Sequence, residues 1–163
     1  MSIAVRATFF DASALVKLYV DELGSENLRA YWRGQSTKYT SPFCFYETLS
    51  ILKGKHKKAK LTKEQYLRAA NDLMAWFRAS TSRVNDLDFT KRDVFADATE
   101  LADRYDLDLS DAFQLLTLQA GFFSVLVGGS ASVLVTADEA LAKAARKMNL
   151  AVWDCQREPI PAT

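Results

Sequence analysis

The chain has few residues that could cross-link it covalently or through a metal. Its 163 residues include two cysteines, Cys44 and Cys155, and one histidine, His56. Both cysteines lie in apolar segments, where a buried free thiol is the usual outcome. We therefore do not expect a disulfide scaffold, a cysteine-ligated zinc site or a histidine-dependent catalytic triad.

The chain also has little glycine and proline, and it has no long apolar run. With 6 glycines, 3 prolines and no extended low-complexity stretch, neither a linker nor a disordered tail is predicted, and we expect a single domain over residues 1–163. Charged residues interrupt the N-terminal segment at Arg6, Asp11 and Lys17. No segment approaches the roughly 18 apolar residues of a membrane helix. The sequence thus predicts a cytoplasmic protein.

Positive charge is concentrated in one stretch, although the net charge is only +1. Residues 53–60 (KGKHKKAK) contain five lysines. Such a patch can attract phosphate, but it is equally expected at a solvated helix C-terminus. The candidate RNA contacts in this stretch are Lys53, Lys55, Lys57 and Lys58.

Short apolar segments alternate with amphipathic ones along the chain. This alternation predicts an α/β fold of three layers, with helices flanking a mostly parallel sheet of four to five short strands. In the helix predicted from Thr62, the spacing places Leu67, Ala70, Leu73, Met74 and Phe77 on one face. Strands are predicted near 5–10, 38–40, 83–87, 133–136 and 151–153, and helices near 14–23, 25–32, 42–52, 62–80, 90–106, 110–127 (capped by Ser110) and 138–148.

Acidic residues follow the predicted strands. Asp11 ends the first strand, Asp138 lies two residues beyond VLVT, and Asp111 begins a helix after a loop. Glu47 interrupts the apolar run PFCFYETLSIL, where a carboxylate needs a partner or a water-filled cleft. Each residue also has a structural explanation, as a helix cap or as a carboxylate paired with a lysine. Together they predict an acidic site, because functional groups gather at the carboxyl ends of parallel strands.

The residue types at this predicted site indicate which cation it would bind. An all-oxygen set without histidine or cysteine favours Mg²⁺ or Mn²⁺ over Zn²⁺. Ser13 and Thr136 lie two residues from Asp11 and Asp138. Their hydroxyls are expected to support a carboxylate or a metal-bound water, although ordinary helix caps would look the same.

Four segments together resemble the successive motifs of PIN-domain nucleases. They are FFDASALVKLYVDELGS, FYETLSIL, LSDAFQLLTLQA and VLVTADEALAKAARKMNLAV, spanning Phe9 to Val152. The likeness is strongest to VapC-type toxins of toxin-antitoxin (VapBC) systems. One departure is the apolar FFSVLVGGSAS between the third and fourth motifs, which lengthens a connection that is often shorter in the family.

This resemblance implies a specific activity and a set of partners. It implies Mg²⁺- or Mn²⁺-dependent cleavage of RNA, with Asp11, Glu47, Asp111 and Asp138 as the catalytic and metal-binding acids. Thr136 and Ser13 match the accompanying hydroxyl positions. A small antitoxin and a homodimer are the implied protein partners. Lys17 is a further candidate phosphate contact, although an exposed lysine is the simpler expectation.

Hydrolysis by a water molecule on a metal site requires no nucleophile from the protein, which suits this residue set. Two alternatives keep the fold: a non-catalytic RNA-binding or protein-interaction module, and a housekeeping RNA-processing nuclease. A phosphoaspartyl hydrolase is disfavoured, because Asp11-Ala-Ser13 replaces the usual Asp-x-Asp. A dinucleotide-dependent enzyme is disfavoured because no G-x-G-x-x-G follows a strand.

Overall fold

A sheet of four parallel strands forms the centre of the described structure. The computed structural model describes residues 6–35, 37–79, 87–120 and 131–162. The strands are β1 (Arg6–Phe10), β2 (Lys38–Tyr39), β3 (Ala131–Thr136) and β4 (Ala151–Asp154), in the order β2-β1-β3-β4. Phe9 pairs with Tyr39 on one side and with Leu134 on the other. Because all four strands are parallel, their carboxyl ends meet at one edge of the sheet.

Helices connect and flank these strands, so the predicted α/β fold with a mostly parallel sheet of four to five strands is confirmed. A 3-10 turn (Val16–Leu18) follows the first helix. The helices within the described ranges are α1 (Ala12–Leu15), α2 (Ser25–Gly34), α3 (Pro42–Lys57), α4 (Lys63–Arg78), α5 (Arg92–Tyr105), α6 (Leu109–Gln119) and α7 (Glu139–Lys147). Among these residues, no helix is long and apolar enough to cross a membrane.

Capping side chains set several of the helix starts. Ser41 caps α3 by accepting from the Cys44 amide, with Pro42 at the favoured first position. Thr62 and Gln65 form a reciprocal capping box at the start of α4.

Three helices have other bounds than the sequence predicts. The helix expected over 14–23 is instead α1 and the 3-10 turn, which ends at Leu18. Helix α3 continues past the expected end near residue 52 to Lys57, so most of the lysine stretch is helical. Helix α6 begins after Asp108, not Ser110, and it ends at Gln119, with Ala120 extended. The remainder of that predicted helix, residues 121–127, lies outside the described residues. The strand predicted at 83–87 also lies largely outside them.

The core forms where the sheet meets the helices. Phe9, Phe10, Leu134 and Trp153 are buried strand residues. Cys44 and Cys155 are buried free thiols, as predicted.

One predicted core face is wrong in part. On α4, Ala69 and Leu73 are buried, whereas Leu67 and Met74 are exposed. The Ala69 side of the helix packs against the Leu52 cluster, which rotates Leu67 and Met74 towards solvent.

Candidate active site

Asp11 stands at the carboxyl end of β1 and at the start of α1. Its amide donates to the Val135 carbonyl (3.0 Å), which continues the β1–β3 pairing and fixes the backbone against the sheet. Its side chain caps α1 by accepting from the Ser13 amide. Only 3% of Asp11 is exposed, so this carboxylate is held in a nearly water-free environment.

Two hydroxyl groups hold one oxygen of that carboxylate. Asp11 Oδ2 accepts from Ser13 Oγ (2.5 Å) and from Thr136 Oγ1 (3.0 Å). Ser13 Oγ accepts from the Ala137 amide (2.8 Å), and Thr136 Oγ1 accepts from the Asp138 amide (3.0 Å). The hydrogen bonds therefore join the ends of β1 and β3, and the predicted neighbourhood of Ser13 and Thr136 to the acids is observed.

The other three acids enter from different helices. Asp138 caps α7, with its Oδ1 accepting from the Leu141 amide (2.9 Å). Asp111 lies in the first turn of α6 and is partly exposed. Glu47 lies on the exposed side of α3, so its carboxylate interrupts the apolar run without being fully buried.

The carboxylates influence one another's protonation. Burial, together with the negative charges of Asp11, Asp138, Glu47 and Asp108, raises the pKa of Asp111 to about 7. Loss of hydration raises the pKa of Glu47, as do the charges of Asp11, Asp108 and Asp138. Burial raises the pKa of Asp11, and its hydrogen bonds offset this rise in part. All of the shifts favour the neutral carboxylic acid, as expected for burial at all three residues and for nearby like charges at Asp111 and Glu47.

The acidic side chains approach one another less closely than the sequence predicted. Within the four described ranges, no three acidic, histidine or cysteine side chains form a cluster ready to hold a metal ion. The chemistry of the donors still fits a hard divalent cation, because the charged groups that meet here are carboxylates. A cation would lower the repulsion that raises the pKa of Asp111 and Glu47.

Three further residues lie at this site that the sequence did not indicate as site residues. Asp108 precedes α6 and adds to the repulsion at Asp111 and Glu47; its spacing of three residues from Asp111 was the available signal. Gln114, one turn further on, donates from Nε2 to Asp111 Oδ1 (3.3 Å). Its buried Oε1 has no partner among the described residues, which fits a donor such as an ordered water. Cys44 Sγ lies 4.0 Å from Asp11 Oδ1.

Lys17 does not occupy the position expected of a phosphate contact. The residue is 2% exposed, and its ammonium donates to Glu22 Oε1 (2.9 Å), to the Leu23 carbonyl (2.7 Å) and to Gln156 Oε1 (3.1 Å). An ammonium has three protons, and all three are used. The expectation of an exposed lysine is wrong, because the chain after α1 folds back over this side chain.

The other candidate RNA contacts are divided between two environments. Lys55 is half-buried and pairs with Glu22 Oε2 at 2.8 Å. Lys53, Lys57 and Lys58 are exposed at the C-terminal part of α3. Their role as RNA contacts stays a prediction.

The comparisons with known proteins agree with this fold. The family model of the PIN domain matches residues 8–147 of the sequence. The chain is similar in structure to PAE2754 from Pyrobaculum aerophilum, with a TM-score of 0.59 and 19% sequence identity over 87% of each chain. At that identity the likeness concerns the fold alone. A comparison with curated proteins gives no match. The chain belongs to the PIN domain family, whose members are generally nucleases.

Proposed function

We propose that this protein is a Mg²⁺- or Mn²⁺-dependent endoribonuclease that uses Asp11, Glu47, Asp111 and Asp138. The observation that carries the proposal is electrostatic: burial of Asp111, together with like charges that include carboxylates from three other segments of the chain, raises its pKa to about 7. A fold has little reason to bring like charges together unless a cation joins them. Perturbed acids of this kind are typical of functional sites.

Each part of the chain has a definite task in this proposal. The four acids would hold the cation, which when bound supplies charge neutralisation and activation of water. Ser13 and Thr136 orient Asp11 through the hydrogen bonds at 2.5 and 3.0 Å. Gln114 orients Asp111 from one helical turn away. Because Asp11 is already fixed before substrate arrives, little reorganisation is required at this carboxylate.

The test replaces one acid at a time and measures RNA cleavage with added Mg²⁺ or Mn²⁺. We expect Asp11→Asn and Asp111→Asn each to lower cleavage at least about 100-fold, equivalent to about 2.7 kcal/mol in the barrier. Asp97→Asn, which alters an exposed acid on α5, is the matched control and should cleave normally. Full cleavage by either site variant, with the fold confirmed by circular dichroism, would disprove the assignment.

Metal dependence separates this proposal from a non-catalytic RNA-binding module. A pure binder would retain RNA equally well in chelator and would leave it intact. A nuclease of the proposed kind should lose cleavage in chelator and regain it when Mg²⁺ or Mn²⁺ is restored.

We further propose that the enzyme is the cytoplasmic toxin of a type II toxin-antitoxin pair. In this proposal the chain forms a homodimer and binds a small antitoxin protein. The order of the four motifs along the chain supports this finer assignment. The test co-expresses the chain with the protein encoded by the neighbouring reading frame. Growth arrest that the neighbour relieves, together with co-purification of the two proteins, is the expected result. Absence of both effects would favour a housekeeping RNA-processing nuclease instead.

A further inference from the structure

One side of α3 carries a groove outside the acidic site. The groove has a volume of about 430 Å³. Its lining comes from a single stripe of that helix, with an aromatic ring at one end and lysines towards the other. The lining residues are Tyr46, Leu49, Ser50, Lys53, Gly54 and Lys57.

Tyr46 forms the aromatic end of the groove. Its ring meets Phe45 edge-on, with centroids 5.2 Å apart, and 66% of the residue is exposed. A tyrosine this exposed contributes little to the core, so its ring is available to a flat partner. Tyr46 also directly precedes Glu47, one of the proposed catalytic acids.

Lys53 and Lys57 provide positive charge along the rest of the groove. They lie one helical turn apart and are exposed. Lys53 Nζ lies 4.9 Å from the centroid of the Tyr66 ring, which holds the ammonium beside the helix. Neither lysine forms an ion pair with a carboxylate of the described part of the chain. Lys55, by contrast, is directed away to Glu22.

The direction of α3 relates the groove to the acidic site. The helix begins directly after β2, at the edge of the sheet where the parallel strands end. Tyr46 is therefore near the acidic edge, and Lys57 is at the far end of the helix. The eleven residue steps between them span about 16 Å, comparable to roughly five nucleotides of a stacked strand at about 3.4 Å each.

We infer that this groove binds single-stranded RNA leading away from the acidic site, with a base stacked on Tyr46 and phosphates on Lys53 and Lys57. The inference rests on the proposed nuclease function. The occupant follows from charge and shape: unpaired lysines suit a polyanion, and an exposed ring can stack only on an unpaired base. A duplex hides its base faces and would use the lysines alone.

The experiment measures binding of a short unstructured fluorescent RNA to the full chain in chelator, where no cleavage is expected. Tyr46→Ala should weaken binding about 10-fold or more, and Tyr46→Phe should restore it, because the ring supplies the stacking. Lys53→Gln and Lys57→Gln should each reduce the slope of log affinity against log salt by about one. Lys60→Gln, in the same basic stretch but outside the groove, is the matched control and should bind like the unaltered chain.

Several outcomes would overturn the inference. These are unchanged binding by Tyr46→Ala, equal losses at Lys53 and Lys60, or duplex RNA binding as tightly as the single strand. Because Tyr46 is exposed, thermal unfolding of its variants should match the unaltered chain, so a loss of binding is not a loss of fold. The expected binding pattern without any metal-dependent cleavage would support the groove and reject the nuclease assignment, which keeps the two failures distinct.

Discussion

Asp11 and Lys17 are six positions apart and almost equally buried, at 3% and 2% exposure, yet their environments differ. Lys17 meets a carboxylate, a backbone carbonyl and an amide oxygen, which satisfy all of its protons. We call this group, Lys17 with Glu22, Leu23 and Gln156, the lysine pocket. Asp11 accepts from two hydroxyls and a backbone amide, and no described cation lies within ion-pair distance of it.

This comparison distinguishes a buried charge with a structural role from one with a proposed functional role. Burying a charge costs free energy unless a partner compensates. In the lysine pocket the chain itself supplies that partner, so the buried ammonium needs no ligand from outside the protein. At the acidic site the nearby charges have the same sign, and the pKa values rise. In the proposed function, a cation from solution supplies the compensation there.

The largest expected effect comes from removing the cation of the lysine pocket. Lys17→Met should lower the free energy of unfolding by about 3 kcal/mol, because buried acceptors lose their donor. Lys55→Met, which removes the more exposed partner of Glu22, should cost less than about 1 kcal/mol. Urea denaturation measures both. Equal losses for the two variants would contradict the role given to the lysine pocket, since Lys17 would then contribute no more to stability than a surface lysine.

The next largest loss of stability is expected from a substitution at Gly24, in the backbone segment that closes the lysine pocket. Gly24 has φ +87°, and an added Cβ would lie 2.5 Å from the Cys155 carbonyl oxygen. Gly24→Ala should therefore destabilise the chain by about 2 kcal/mol or more. Gly54→Ala is the control, because nothing lies near its added Cβ; in the interior of a helix it should stabilise by up to about 1 kcal/mol. A neutral Gly24→Ala would show that the close approach to Cys155 is dispensable.

The two regions should also respond oppositely to pH. A native pKa of about 7 against 3.8 means that folded Asp111 retains a proton that the unfolded chain releases. Stability should thus fall as pH rises from about 4 to 7, by at most about 1.4 kcal/mol per pH unit for one proton, and by less because water screens a partly exposed group. Asp111→Asn should flatten this decline.

Glu22 contributes to the pH dependence of stability with the opposite sign. Lys55 and Lys17 lower its pKa, so its stabilisation is present above the unfolded pKa and is lost as pH falls. Urea denaturation measured from about pH 7 down to below 4.5, the ordinary pKa of a glutamate, separates the two contributions. An Asp111→Asn chain with the original decline would show that the raised pKa of Asp111 is not the source of that decline.

The smallest expected effect is stabilisation by metal. At Mg²⁺ about five times its dissociation constant, the free energy of unfolding should rise by about 1 kcal/mol. Asp111→Asn should lose this gain, and Lys17→Met should keep it despite its lower stability. Thermal unfolding with and without Mg²⁺ measures the response. A gain in both variants would place the metal outside the acidic site.

The sequence was informative wherever the signal was local. Alternating apolar and amphipathic segments predicted the parallel α/β fold, because burial imposes a period on each element. The acids near strand ends were predicted because a parallel sheet collects those ends at one edge. Helix ends were less certain, as α3 shows by continuing into the lysine stretch, where charge alone does not stop a helix.

The sequence alone was sufficient to predict the order of the elements, the family motifs and the charged residues. The partner of each charge depends on the tertiary structure. Thr136 reaches Asp11 across 125 positions, and Gln156 reaches Lys17 across 139. Periodicity and spacing describe a residue's own element, whereas the partner of a buried charge depends on which distant segment packs against it. For that reason Lys17 was misjudged, while Asp11 was recognised as a candidate.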